Sequence, residues 1–140
     1  MWDYEHAVET DAPAEAIWAL WADVPNWGTW NGEIERIDFE GPFAVGAGIT
    51  MTPPGDSPIE LRVTDLVPGT SFTDEARMGG LVLRTAHTLA PLPGGRTRIV
   101  YRMEITGTGA DEVGPQIGPG ITADWPETMA ALTALAARSR

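Results

Sequence analysis

Between Ile34 and Gly107 apolar residues recur at every second position, in six runs separated by short breaks rich in Gly and Pro. Alternate residues of a strand fall on opposite faces of a sheet, so this period marks half-buried strands. The runs are Ile34–Phe39, Gly48–Thr52, Ile59–Val67, Ser71–Met78, Leu81–Ala90 and Thr97–Gly107. The breaks are Gly41-Pro42, Pro53-Pro54-Gly55-Asp56, Pro68-Gly69, Gly79-Gly80 and Pro93-Gly94-Gly95. None is long enough for the crossover that parallel strands require, so the runs predict an antiparallel meander.

Helical patterns flank this block. Tyr4 to Thr10 alternates weakly and reads as a further strand. Asp11-Ala12-Pro13 then offers a helix start, with Asp as cap and Pro in the first turn. Ile17, Trp18, Leu20 and Trp21 make an apolar stripe, which Asp23-Val24-Pro25-Asn26 ends. Trp27 and Trp30 suggest a second short helix. From Asp111 to Arg138, Ile117, Ile121, Trp125, Met129, Leu132 and Leu135 fall on one helical face. Pro119 and Pro126 interrupt that stretch, and Asp124-Trp125-Pro126-Glu127 reads as a capping box. The expectation is one long helix, kinked near Pro126. A sheet with one apolar face needs a cover, and this helix is the only long element available. The chain thus reads as a single α+β domain over residues 1–140. Its element order is strand, two short helices, six strands, one long helix, with about seven strands in a sheet around that helix.

Composition narrows the chemistry. There is no Cys and no Lys, and only His6 and His87 represent histidine. Disulfides, thiolate or histidine-rich metal sites, Schiff bases and a P-loop lysine are therefore outside the chain's means. A net charge of −11 argues against a nucleic-acid partner, which needs clustered cations, and against adhesion to an anionic membrane. The first residues lack the charged and apolar regions of a signal peptide, and no apolar run is long enough to span a bilayer. The expectation is a cytoplasmic protein with no membrane insertion, no cofactor and no metal. The sequence leaves monomer and dimer equally open.

Turn lengths fix the strand register. A two-residue turn at Pro68-Gly69 sets Val67 opposite Thr70 and Val63 opposite Asp74. One at Gly79-Gly80 sets Asp74 opposite Thr85 and Phe72 opposite His87. At the third hairpin a three-residue loop matches Leu89 with Ile99 and His87 with Tyr101, whereas a two-residue loop would mix apolar and charged positions. One face then carries Ile59, Leu61, Val63, Phe72, Ala76, Leu83, Leu89, Ile99, Met103 and Ile105. Glu60, Arg62, Arg84, Arg102 and Glu104 go to the other. Four polar residues, Asp74, Thr85, His87 and Tyr101, are left inside the apolar face on neighbouring strands. There they either satisfy one another as a buried polar cluster, or line a ligand site, or work on a substrate. In the last reading His87 is the general acid/base, Asp74 orients it and Tyr101 stabilises a developing oxyanion. Trp27, Trp30, Phe72, Thr85, Met103, Ile121, Trp125 and Met129 are the candidate ligand-lining residues. Trp125 stands out among them because it sits at the expected kink.

Several segments resemble the START-like, or SRPBCC, superfamily and its polyketide cyclase/dehydrase-like group. They are Thr10-Asp11-Ala12-Pro13-Ala14-Glu15-Ala16-Ile17-Trp18, Trp27-Gly28-Thr29-Trp30, and the turn Gly41-Pro42-Phe43-Ala44-Val45-Gly46-Ala47-Gly48. His87-Thr88-Leu89-Ala90-Pro91, Gly94-Gly95-Arg96-Thr97-Arg98-Ile99 and Leu132-Thr133-Ala134-Leu135 complete the likeness, which spans nearly the whole chain. The resemblance implies the helix-grip fold, with an internal apolar cavity between sheet and C-terminal helix that opens near the second short helix. It also implies a small apolar or aromatic ligand of polyketide, lipid or hormone type. Cofactor-free cyclase, aromatase or dehydratase chemistry is the alternative, and a non-catalytic interaction or stress-response module a further one.

Overall fold

The computed structural model describes residues 1–138. Seven strands form one antiparallel sheet: β1 (Trp2–Thr10), β2 (Arg36–Glu40), β3 (Gly48–Thr52), β4 (Ile59–Val67), β5 (Ser71–Met78), β6 (Leu81–Pro91) and β7 (Thr97–Gly107). Their order across the sheet is β1-β7-β6-β5-β4-β3-β2, so the last six form the expected meander. The first strand closes against the last, with His6 opposite Tyr101 and Tyr4 opposite Met103. Helix α1 (Ala14–Ala22) and a 3-10 turn (Val24–Thr29) follow β1; helices α2 (Ala110–Thr122) and α3 (Trp125–Arg138) follow β7.

Two hairpins have the register that their turns predict. Phe72 faces His87 and Asp74 faces Thr85 between β5 and β6; His87 faces Tyr101 and Leu89 faces Ile99 between β6 and β7. The hairpin of β4 and β5 departs from expectation at its turn. Val67 pairs with Ser71 rather than Thr70, and the register shifts between Val63 and Asp65, which leaves Thr64 bulged. The bulge absorbs the extra turn residue, so Val63 still meets Asp74 and the inward face is preserved.

One expectation about the helices is corrected and another holds. Asp11 does not cap α1: the helix is preceded by Pro13 with no side-chain cap, and Asp11 instead pairs with Arg96 at 2.9 Å. The C-terminal stretch is the expected long bent helix, with its bend close to Pro126, and it divides into α2 and α3 there. The break falls at Ala123 and Asp124, although Ala123 keeps right-handed helical angles, φ −59° and ψ −31°. Asp124 starts α3, its carbonyl accepting the Thr128 N–H at 2.9 Å and its carboxylate the Thr128 hydroxyl at 3.1 Å. Pro126 therefore sits in the first turn of α3, where its missing N–H costs nothing.

The buried face of α2 is also not the expected one. Ala110, Gly114, Gly118 and Thr122 turn inward, and Ile121 is 36% exposed. Trp2 of β1 causes this: a Cβ on Gly114 or Gly118 would lie within 2.5 Å of Trp2 atoms. The indole fills the space that larger helix residues would need. Along α3 the expected stripe does turn inward, with Trp125, Met129 and Leu132 buried.

Candidate functional site

The sheet's inner face, α1, the 3-10 turn and α3 enclose a core rich in aromatic rings. Trp21 of α1 is its hub, in contact with Phe72, His87 and Tyr101 at ring-centroid distances of 5.3, 5.8 and 6.1 Å. His87 lies flat on Phe72, 4.0 Å between centroids with the planes 5° apart, and meets Tyr101 edge-on at 4.6 Å. Trp27 and Trp125 close opposite sides, 5.9 Å from Phe72 and 5.7 Å from Tyr101. The open internal chamber that the resemblance implies is thus largely occupied by the chain's own rings. A depression of about 310 Å³ lies at the edge of this core, between residues 28–33 and Asp124, Glu127, Thr128 and Ala131 of α3 and its approach.

Most buried polar side chains here are satisfied within the protein. The Thr97 hydroxyl donates to the Ala12 carbonyl, Thr122 to the Gly118 carbonyl, and Thr128 to Asp124; Thr10 accepts the Ala12 N–H. The Tyr101 oxygen accepts the Trp21 indole N–H at 3.3 Å. Asp74 and His87 differ. Asp74, only 7% exposed, receives no hydrogen bond from a described residue, yet neither of its oxygens is cut off from open space. His87, 9% exposed, uses Nδ1 on the Phe72 carbonyl at 3.2 Å. A carbonyl can only accept, so Nδ1 carries the proton and Nε2 is a bare acceptor. Like the carboxylate, Nε2 has no partner among the described residues and stays open.

Burial moves the acidities of all three groups. Desolvation raises the Asp74 carboxyl from 3.8 to about 7. It lowers His87 from 6.5 to about 4, against the hydrogen bond to Phe72. The Tyr101 phenol is pushed well above its usual range, mainly by burial, with the charge of Asp74 adding to the rise and the Trp21 bond opposing it.

The structure therefore brings Asp74, Thr85, His87 and Tyr101 onto one patch, but not in the expected relation. No hydrogen bond or ion pair joins Asp74 to His87; the Phe72 carbonyl orients the imidazole instead. Trp27, Trp30, Phe72, Met103, Trp125 and Met129 are buried in the core around the patch, with Thr85 half-buried. Ile121 stands apart on the exposed side of α2. Trp21 and Phe43, which packs on Phe72 at 5.1 Å, are the ring contacts missing from the expected lining. The helical stripe of α1 carried the signal for Trp21, whereas nothing in the pattern near Phe43 reveals its contact.

Comparison with known proteins agrees with this architecture. Residues 1–139 match the family described as polyketide cyclase / dehydrase and lipid transport, and the chain belongs to that family. No curated protein matches it. Among solved structures it is similar to norcoclaurine synthase from Thalictrum flavum, with TM-score 0.78, 18% identity, and coverage of 99% of this chain and 95% of that one. A Mesorhizobium loti protein, MLL2253, aligns with TM-score 0.72 and 19% identity over 98% and 99% of the two chains. The di-domain ARO/CYC protein BexL, from the BE-7585A biosynthetic pathway, aligns with TM-score 0.76 and 17% identity over 96% of this chain and 46% of BexL. At these identities the likeness is one of fold. Among the described residues no helix is long and apolar enough to cross a membrane.

Proposed function

We propose that the chain binds a small apolar or aromatic molecule between the sheet and α3, with Asp74 and His87 as its polar contacts. The observation that carries this reading is the pair of unpartnered yet open acceptors in an otherwise satisfied, ring-lined core. Buried polar groups are ordinarily paired within the protein, whereas these stay open to a donor from outside it. A ligand that donates to both groups pairs them without breaking any bond inside the protein. The family's description, with its cyclases and lipid carriers, and a norcoclaurine synthase structure holding dopamine and hydroxybenzaldehyde supply fold-level support.

Native mass spectrometry of the protein purified from its own host, compared with the denatured mass, tests the reading. The expected result is a non-covalent adduct of a few hundred daltons. A bare mass, together with no change in melting temperature across a panel of aromatic compounds, would leave Asp74 and His87 as structural groups.

One observation favours a second reading, cofactor-free acid/base chemistry of the cyclase or dehydratase type. A carboxyl pushed to about 7 gives and takes protons near neutrality, where a catalytic acid or base is most effective. Asp74 then becomes the proton carrier. His87, neutral and fixed by Phe72, accepts a substrate hydrogen bond, and Tyr101 faces a developing enolate oxygen. Under this reading Asp74→Asn abolishes turnover while affinity stays within about tenfold. Equal losses in both would favour binding alone.

A further inference from the structure

The two unpartnered groups of the core also constrain the polar end of the ligand, an argument that rests on the binding reading above. Both are acceptors: the bare Nε2 of His87 and, when ionised, the Asp74 carboxylate. They project from neighbouring strands, Asp74 opposite Thr85 and His87 opposite Phe72, one inward step apart along the sheet. The backbones of such diagonal neighbours lie roughly 7–8 Å apart, near enough for both side chains to reach one small polar group between them. Among the described residues no cation serves them from within: the chain has no Lys, and no described arginine is buried. The arginines of β4 to β7 lie on the outer face, where Arg84 pairs with Asp65 and Arg102 with Asp3.

We propose that the ligand carries a protonated primary amine on an aromatic or apolar body, with the ammonium held between the Asp74 carboxylate and Nε2 of His87. A primary ammonium has three N–H donors, no acceptor and one positive charge, which complements two acceptors and one negative charge. The walls suit it as well. Phe72, Trp21, Tyr101 and Trp125 surround the patch with aromatic rings, against which an apolar or aromatic body packs. The approach has the same sign, because Glu33, Asp124 and Glu127 line the depression at the core's edge and, among the described residues, no basic one does. A carboxylate ligand would instead bring a second negative charge beside Asp74 with nothing to neutralise it.

Calorimetric titration of the intact protein at about pH 8 with three matched compounds tests this. They are 2-phenylethylamine, 2-phenylethanol and 3-phenylpropanoate. The expected order is amine at least about tenfold tighter than alcohol, with the carboxylate weakest. Asp74→Asn should remove the amine's advantage over the alcohol. If amine and alcohol bind equally, or the carboxylate binds best, the amine inference falls and the binding reading stands. If the amine's advantage persists in Asp74→Asn, selection arises at the acidic edge and the assignment to the core is overturned. If none of the three binds, both readings fall together. The comparison in the unaltered protein is informative even if the variant does not fold.

Discussion

Asp74 and His87 occupy one patch, and burial drives them in opposite directions: the carboxyl up to about 7, the imidazole down to about 4. Their effects on stability therefore oppose one another. The raised Asp74 stabilises the fold fully below about pH 4, and that contribution is lost as pH rises towards 7. The lowered His87 stabilises above about 6.5, and its contribution is lost as pH falls towards 4. Each is worth on the order of 3 kcal/mol, so the two nearly cancel across this window. Removing either should unmask the other. Urea unfolding of His87→Gln from about pH 4.5 to 7.5 should show stability falling with pH relative to the unaltered chain. Asp74→Asn should show it rising. Parallel pH profiles for all three proteins would mean that neither group is titrated by burial as described. Turn lengths and the matching of apolar faces together place both residues, because a one-residue slip would expose every apolar neighbour. They do not reveal the bond from His87 to the Phe72 carbonyl, which depends on side-chain torsions and strand geometry rather than on the order of residues.

The elements show the same division between what period reveals and what it hides. Strand positions and two of the hairpin registers follow from alternation and turn residues. The bulge at Thr64 is marked only by a change of phase, since Val63 and Leu66 both pack inward where strict alternation would separate them. The face of α2 is hidden altogether. A hydrophobic stripe through Ile117 and Ile121 is the obvious reading, but glycines carry no hydrophobic signal, and Gly114 and Gly118 are what Trp2 packs against. Gly118→Ala tests that packing. In an open helix the change gains about 0.5–1 kcal/mol from propensity. Here the new Cβ would stand 2.5 Å from the Trp2 ring, and a net loss of about 1–3 kcal/mol is expected. Gly120→Ala on the same helix, with nothing within 4 Å, should be neutral or stabilising. Thermal unfolding of the two variants separates the effects, and adding Trp2→Ala to Gly118→Ala should recover part of the loss through relief of the same contact.

At the scale of the molecule, a crowded core sets the terms of any binding event. Trp21, Phe72, His87 and Tyr101 touch one another, so a ligand of several hundred daltons cannot enter without displacing rings. The sheet's inner face is covered by α2 on the β1 side through Trp2, and by α1 through Trp21. The seam between residues 28–33 and α3 differs, because a depression of about 310 Å³ already separates them. Trp30 lines it and contacts Trp27 at 6.1 Å, which in turn contacts Phe72. A short ring-to-ring path therefore runs from the surface to the patch, beside the short helix where the family resemblance implies an opening. Saturating ligand should change hydrogen exchange at residues 28–34 and 124–131 while leaving the β1–β7 ladder untouched. The second depression supplies the control: about 380 Å³, lined by Met1, Thr106, Gly107 and residues 109–112 at the far end of α2. Exchange changes confined to that end would put the way in on the other side of Trp2, and the seam would then be no more than a surface groove.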